Sequence, residues 1–347
     1  LATVVMSSGE AVTFELAEGR VLDRSRLSPE GVKPTSWTFS RGAGAFAFGY
    51  EDGTVQTGTL GFSASFLGVD ELTDEERALR VGTRRIRGKG FLERVQADQY
   101  RLVEPAIEPR DPTAVEHGSG AIVALDYRLS SSAQWLVATR ADGTAAFNLV
   151  RVTTPLGGGK PRLRFSSYPF TLELPDGREE PEWTFLTGDG SNVLMLWTDG
   201  FVQRYAILRD DEGEYRAKAA DTVTIAGRAQ GAPVRVSSAG MILGAKTLVA
   251  GLQDGRTLGM FVARDEAAFT PDRQRLVIAH EHDLTEAGAG AVTALGIGQR
   301  DRSYIAGDEA GRLFVRNMTS GKAIADIDEG STAPAVFVDI TPKNDGI

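Results

Sequence analysis

Along this chain short apolar runs are broken by polar pairs that end in glycine. The unit is an apolar run, an acidic or polar residue with glycine, then a second run of alternating character, and it occurs six times. The turn glycines are Gly9, Gly53, Gly143, Gly200, Gly255 and Gly311, and aspartate precedes four of them, at Asp52, Asp142, Asp199 and Asp254. Asp-Gly between two apolar runs is a strong hairpin signal, because glycine takes a positive φ without a Cβ to clash. Each copy therefore predicts a β-hairpin. Aspartates recurring at one turn position read as turn formers, since a catalytic group has no reason to repeat.

Successive turn glycines are 44, 90, 57, 55 and 56 residues apart, a period near 55 with one stretched interval. A four-stranded propeller blade needs about 40 to 50 residues, so the period predicts an all-β β-propeller over residues 1–347, with an insertion at about 68–109. The last copy is the fullest: Ala291–Ile297 as innermost strand, then Ser303–Asp308, Arg312–Met318 and Lys322–Ile327 outermost. Residues 1–23 supply a second, third and fourth strand without a first, and Ala335–Ile340 supply a first strand without the rest, so the two ends are expected to complete one blade. Six blades are countable in this way, and a seventh follows if the parent chain continues beyond Gly346 with another hairpin. The start at Leu1 and the turn-like ending Lys343–Ile347 suggest a domain of something longer.

The stretched interval holds the one helical pattern, Asp70–Arg80, in which Thr73 is a capping residue with Glu76 three positions on. Arg84, Arg85, Arg87 and Lys89 follow, then a hairpin pattern over Phe91–Ile107. Two readings compete for the basic cluster. Guanidinium groups bind phosphate and carboxylate bidentately, which makes these residues a candidate contact for an anion or an acidic partner. The plainer reading is a solvated strand whose charges balance the acidic helix before it.

Composition narrows the function classes. The net charge is −9, and no domain-scale excess of Lys and Arg appears that could neutralise a run of phosphates, which argues against a nucleic-acid partner. Without cysteine there are no disulfides, thiolate nucleophiles or cysteine-held metals. No apolar run reaches the roughly 18 to 20 residues that cross a bilayer, and the start lacks a signal-peptide pattern. Forty glycines fit many tight turns between short strands.

Other motifs resolve toward structure. His280 and His282 stand two apart on a strand pattern, one face of a nascent metal site, but no third histidine is near and surface histidines are the plainer account. Leu156–Pro161 has a glycine run with Lys160, yet Pro161 stands where a phosphate-cradling loop needs Ser or Thr at a helix start. Asp210–Gly213 lacks the alternating ligands and distal glutamate of a calcium loop and reads as a charged hairpin turn. No Gly-x-Ser-x-Gly elbow or His-Glu-x-x-His pair occurs, so the sequence points to no catalytic residue, cofactor or metal, although a triad assembled from distant blades would escape this test.

Two resemblances add to this. The final copy, with Asn317–Lys322 between its outer strands, resembles the WD-repeat family, with Arg316-Asn317 where that family has Trp-Asp. Val5–Glu15 and Asp339–Gly346 resemble the extracytoplasmic domain of long-form phosphate ABC transporter permeases of Gram-negative bacteria. The second resemblance implies a non-catalytic domain on the periplasmic side of the inner membrane, anchored through its parent chain. Its implied role is to contact the phosphate-binding protein or other transporter subunits and to regulate phosphate import. The alternatives are a freestanding WD-type scaffold and a propeller enzyme with a site in its central channel.

Overall fold

The computed structural model describes residues 2–15, 19–40, 44–66, 100–116, 118–129, 134–153, 162–174, 177–228, 234–264, 274–298, 301–328, 330 and 333–340. They form strands and one short 3-10 turn, Leu284–Ala287. The first sheet has three strands, β1 (Ala2–Val5), β2 (Glu10–Glu15) and β3 (Arg20–Arg26). The second joins β4 (Ser36–Ser40), β5 (Ala45–Gly49), β6 (Thr54–Phe66) and β7 (Tyr100–Pro109), with the short β8 (Thr113–Ala114) against the start of β6. Four sheets of four strands follow in chain order: β9 (Ile122–Leu129) to β12 (Arg162–Thr171) through β10 (Gln134–Arg140) and β11 (Thr144–Thr153), then β13 (Trp183–Leu186), β14 (Asn192–Leu196), β15 (Phe201–Arg209) and β16 (Tyr215–Thr224). The last two are β17 (Val236–Ile242), β18 (Thr247–Leu252), β19 (Arg256–Arg264), β20 (Gln274–Asp283), and β21 (Val292–Ile297), β22 (Ser303–Asp308), β23 (Leu313–Asn317), β24 (Ala323–Ile327). All pairings are antiparallel, and these sheets are the six blades of a WD40-like β-propeller.

The glycines that the repeat predicts as turns explain the blades. Gly9, Gly53, Gly143, Gly200, Gly255 and Gly311 have φ values between 78° and 82°, in the left-handed region that a side chain disfavours. Each turn closes as at Tyr50, whose N–H donates to the Thr54 carbonyl while the Gly53 N–H returns to the Tyr50 carbonyl. That is a three-residue loop ending in a glycine bulge, one residue longer than a minimal Asp-Gly hairpin. The aspartates stabilise it: Asp52, Asp142, Asp199 and Asp254 each accept the N–H two residues on, at 2.9 to 3.3 Å. The turn-forming role read from the sequence is what they perform.

The chain divides into two compact units, 1–31 with 58–109, and 32–57 with 110–347. In the first, β1 pairs β2 and β2 pairs β3, and the distal part of β6 pairs β7 from Gly58↔Pro109 to Phe66↔Tyr100. Residues 100–109, counted with the insertion from sequence, are thus a blade's outermost strand. In the second unit the first strands β4, β9, β13, β17 and β21 pack in chain order, and apolar cores fill the space between successive blades. The second strands carry most of that core: all five residues of β14 are buried, and fully burying a leucine there stabilises by about 1.5 to 3 kcal/mol.

One sequence expectation needs correction. Residues 335–340 join no sheet among the described residues, and the β1–β3 sheet is three-stranded. Their polar groups go to blade six: the Ala335 N–H donates to the Asp308 carbonyl and the Thr293 hydroxyl donates to the Ala335 carbonyl. Val338 and Ile340 pack on Ala294, Ile305 and Val315, so the segment docks against β21 and β22 without a strand ladder of its own.

Candidate functional site

Antiparallel strands put the two ends of every blade to different uses. The second-to-third turns with their Asp-Gly pairs lie at one end, and the first-to-second and third-to-fourth turns lie at the other. At the Asp-Gly end of the second unit, charge is neutralised internally. Arg256, buried, donates to both Asp254 oxygens and to Glu281. Arg228 holds Asp283 bidentately at 2.5 Å, and Arg178 pairs Asp199 at 2.8 Å while lying over the Phe201 ring.

The other end, between blades four, five and six, carries an open cleft of about 490 Å³. Its floor is apolar, built from Ile242, Phe261, Val262 and Met318, and its walls carry Lys246, Arg264, His280 and Arg302. Met318 reaches the floor from the next blade because Gly259 leaves room: a Cβ there would lie 2.6 Å from the Met318 sulfur. One wall is fixed from below by Arg204. This buried guanidinium donates to Asn192 Oδ1 at 2.8 Å, to the Asp221 carboxylate and to the Gln274 carbonyl, tying β14, β16 and β20 together.

The β17–β18 turn on the rim is held in a costly conformation. Leu243, Gly244 and Ala245 all have positive φ, 55°, 64° and 61°, and a non-glycine residue in that region costs roughly 1 to 2 kcal/mol. Anchoring on both sides holds it there. Leu243 packs on the core between blades five and six, and Ala245 is buried in the core between blades four and five. The Gly188 N–H donates to the Ala245 carbonyl at 2.9 Å, and a Cβ on Gly188 would sit 2.0 Å from the Gly244 oxygen. The next residue, Lys246, is thereby held exposed at the cleft mouth.

Among the described residues, Lys246, Arg264 and Arg302 form no ion pair with a carboxylate. The cleft's own acid, Asp189, accepts from the Thr187 and Ser191 hydroxyls at 2.7 Å and from the Ser191 N–H at 3.1 Å. Burial opposes its ionisation, but these three donors outweigh burial and hold the carboxyl below its ordinary value.

The residues singled out in the sequence fall in different places. Arg84, Arg85, Arg87 and Lys89, the helix over Asp70–Arg80 and the loop at 156–161 lie outside the described residues. His280 lines the cleft, whereas His282 bonds through Nδ1 to the Tyr304 hydroxyl at 2.9 Å. Among the described residues no three His, Asp or Glu side chains gather as metal ligands. Asp210 accepts the Glu214 N–H at 2.9 Å in the charged turn between β15 and β16, as expected. Sequence reasoning missed Lys246, Arg264 and Arg302, which are 18 and 38 residues apart and meet only through the blade packing. Among the described residues no helix is long and apolar enough to cross a membrane.

No protein-family model matches the chain, and no curated protein matches it in sequence. Solved structures do. The β-propeller domain of Cps50 (Swd1) from Myceliophteria thermophila aligns over 98% of this chain and 85% of its own, at 12% identity and a TM-score of 0.55. Sqt1 from Chaetomium thermophilum aligns over 90% of this chain and 66% of its own, at 13% identity and a TM-score of 0.47. The likeness to the Cps50 domain is one of fold: the chain is a WD40-like β-propeller.

Proposed function

We propose that this chain is a non-catalytic scaffold that binds other proteins through the exposed ends of its blades. The observation that carries this reading is the cleft between blades four, five and six, which presents an apolar floor beside exposed cations that pair with no carboxylate among the described residues. Interfaces combine an apolar anchor with a polar rim in this way. The repeated aspartates, which could pass for a chemical array, are consumed in turn bonds. The WD40-like architecture is compatible with a freestanding scaffold. The test is in-cell cross-linking of the parent protein from positions around the cleft: a defined protein partner in fixed proportion supports the scaffold, and no cross-linked protein from any face refutes it.

The more specific setting is a periplasmic domain of a phosphate ABC transporter permease, contacting the phosphate-binding protein or other subunits. It is supported by the resemblance of Val5–Glu15 and Asp339–Gly346. In that setting deletion of the domain from its parent chain changes phosphate uptake, and unchanged uptake removes the transporter reading while leaving the scaffold.

A further inference from the structure

We infer that the cleft between blades four, five and six is the docking site for an acidic segment of a partner protein, one that carries carboxylate side chains next to an apolar residue. This rests on the scaffold reading above and assigns the chemistry of its partner. Three observations converge on it.

The first is charge. The chain as a whole is strongly acidic, with a net charge of −9, yet the cleft walls are cationic at Lys246, Arg264 and Arg302, all exposed. None of the three is neutralised by a carboxylate among the described residues, while Arg204, Arg228, Arg256, Arg312 and Arg316 all are. Among the described residues the one acid lining the cleft, Asp189, already accepts three hydrogen bonds in its own turn.

The second is the floor. Phe261 and Val262 are only half-buried, and an inorganic anion held by the walls would leave them wet. An apolar side chain flanked by carboxylates covers the floor and meets the walls together, each charged hydrogen bond being stronger than a neutral one. The cleft volume of about 490 Å³ suits a few side chains.

The third is strain. Leu243 and Ala245 hold a left-handed turn whose function within the blade could be met by any two-residue hairpin loop, and the consequence of the longer loop is the position of Lys246. Strained backbone that the surrounding packing over-determines is characteristic of binding sites.

The test uses the full chain and a fluorescein-labelled peptide of alternating glutamate and leucine, with glutamine-leucine and lysine-leucine peptides for comparison, read by fluorescence anisotropy. The expected result is saturable binding of the glutamate peptide alone, weakened at least about tenfold by Lys246→Glu with Arg302→Glu and unaffected by Lys33→Glu, exposed in the connection that leads into β4. Binding by the unaltered chain should also fall steeply as salt rises from about 0.05 to 0.5 M, a readout that holds even where the double variant folds poorly. Equal binding of the glutamine peptide, or glutamate-peptide binding indifferent to salt and to both cleft substitutions, overturns the inference. Cross-linking from Thr319 in the cleft separates this failure from that of the scaffold: a partner captured only from other faces sinks the acidic dock alone, and none from any face sinks both.

Discussion

A Cβ placed on Gly251 would lie 2.6 Å from Val292 Cγ1 of the following blade. The same relationship recurs at Gly49, where it would lie 2.5 Å from Ile122 Cγ2, and at Gly307, 2.5 Å from the Ala335 Cβ. Beside each glycine a hydroxyl clasps the same joint: Thr35, Ser237 and Thr293 donate both to the glycine's carbonyl and to that of Ile122, Val292 and Ala335. The glycine thus lets the next blade, or at Gly307 the docked 335–340 segment, approach closely enough to be bonded. Gly251→Ala should therefore destabilise by about 1 to 3 kcal/mol through overpacking. Gly61→Ala is the control, since its Cβ would meet nothing nearer than 3.7 Å, and it should be neutral or slightly stabilising. Denaturant midpoints at constant slope check both.

The sequence already made much of this legible, and the reasons are physical. Hairpin turns are local, so Gly255 and Asp254 announce themselves from neighbours alone, and the four strands of the last blade fall within one or two residues of their predicted bounds. The cleft is non-local. Lys246 and Arg302 stand one repeat period of 56 residues apart, in the first-to-second connections of successive blades, but Arg264 stands at the start of a third-to-fourth connection and the period alone does not bring the three together. The left-handed turn at Leu243–Ala245 lacks the Asn or Asp that usually marks such a conformation, so only Gly244 hinted at it. Ala335–Ile340 misled because alternation specifies a buried face, which Val338 and Ile340 do supply, but not a partner strand.

Asp283 makes stability depend on acid. The Arg228 guanidinium holds its carboxyl well below the usual carboxylate range, with help from the Thr285 hydroxyl and N–H. In the unfolded chain the group titrates near its ordinary value of about 3.9. Because the folded value is depressed, the contribution is fully present above about pH 4 and is lost as pH falls toward the folded value. Both side chains are a third or more exposed, so solvent screening keeps the effect small. Asp283→Asn should flatten the decline in the unfolding midpoint below about pH 4, and an unchanged decline would assign it to other carboxylates.

Tyr304 joins two blades through its hydroxyl, 2.5 Å from Thr257 Oγ1 and 2.9 Å from His282 Nδ1. Burial pushes the phenol up to about 12, so it stays protonated throughout the working range. Burial also disfavours the His282 imidazolium, His280 and Arg316 add to this, and the His282 value falls below its ordinary 6.5 despite a bond with the Met318 backbone. A depressed histidine is stabilising above the unfolded value and loses that contribution as pH falls through the folded one. Tyr304→Phe should cost about 1 to 3 kcal/mol at pH 8, since the fully buried Thr257 hydroxyl loses its partner. His282→Gln should reduce the loss of stability between about pH 7 and pH 5. Thermal unfolding across that range reads both.

Arg204 shows why the cleft wall is rigid and how it could be loosened without touching its surface. The guanidinium is 1% exposed and serves Asn192, Asp221 and Gln274, two of which line the cleft. Asp221 in turn accepts the Leu276 N–H at 2.5 Å, so the carboxylate is shared between β15 and β20. Arg204→Met keeps the volume but leaves Asp221 without its counter-charge and the buried Asn192 oxygen without this donor, a loss of about 3 kcal/mol. Arg204→Lys should also destabilise, because a single ammonium cannot span three acceptors fixed by a planar fork. Neutralising the stranded acid should recover part of the loss: Arg204→Met with Asp221→Asn is expected to be at least about 1 kcal/mol more stable than Arg204→Met alone. If the double variant is instead additive with Asp221→Asn, the guanidinium contributes by packing, and the charge pair is not what sets the wall.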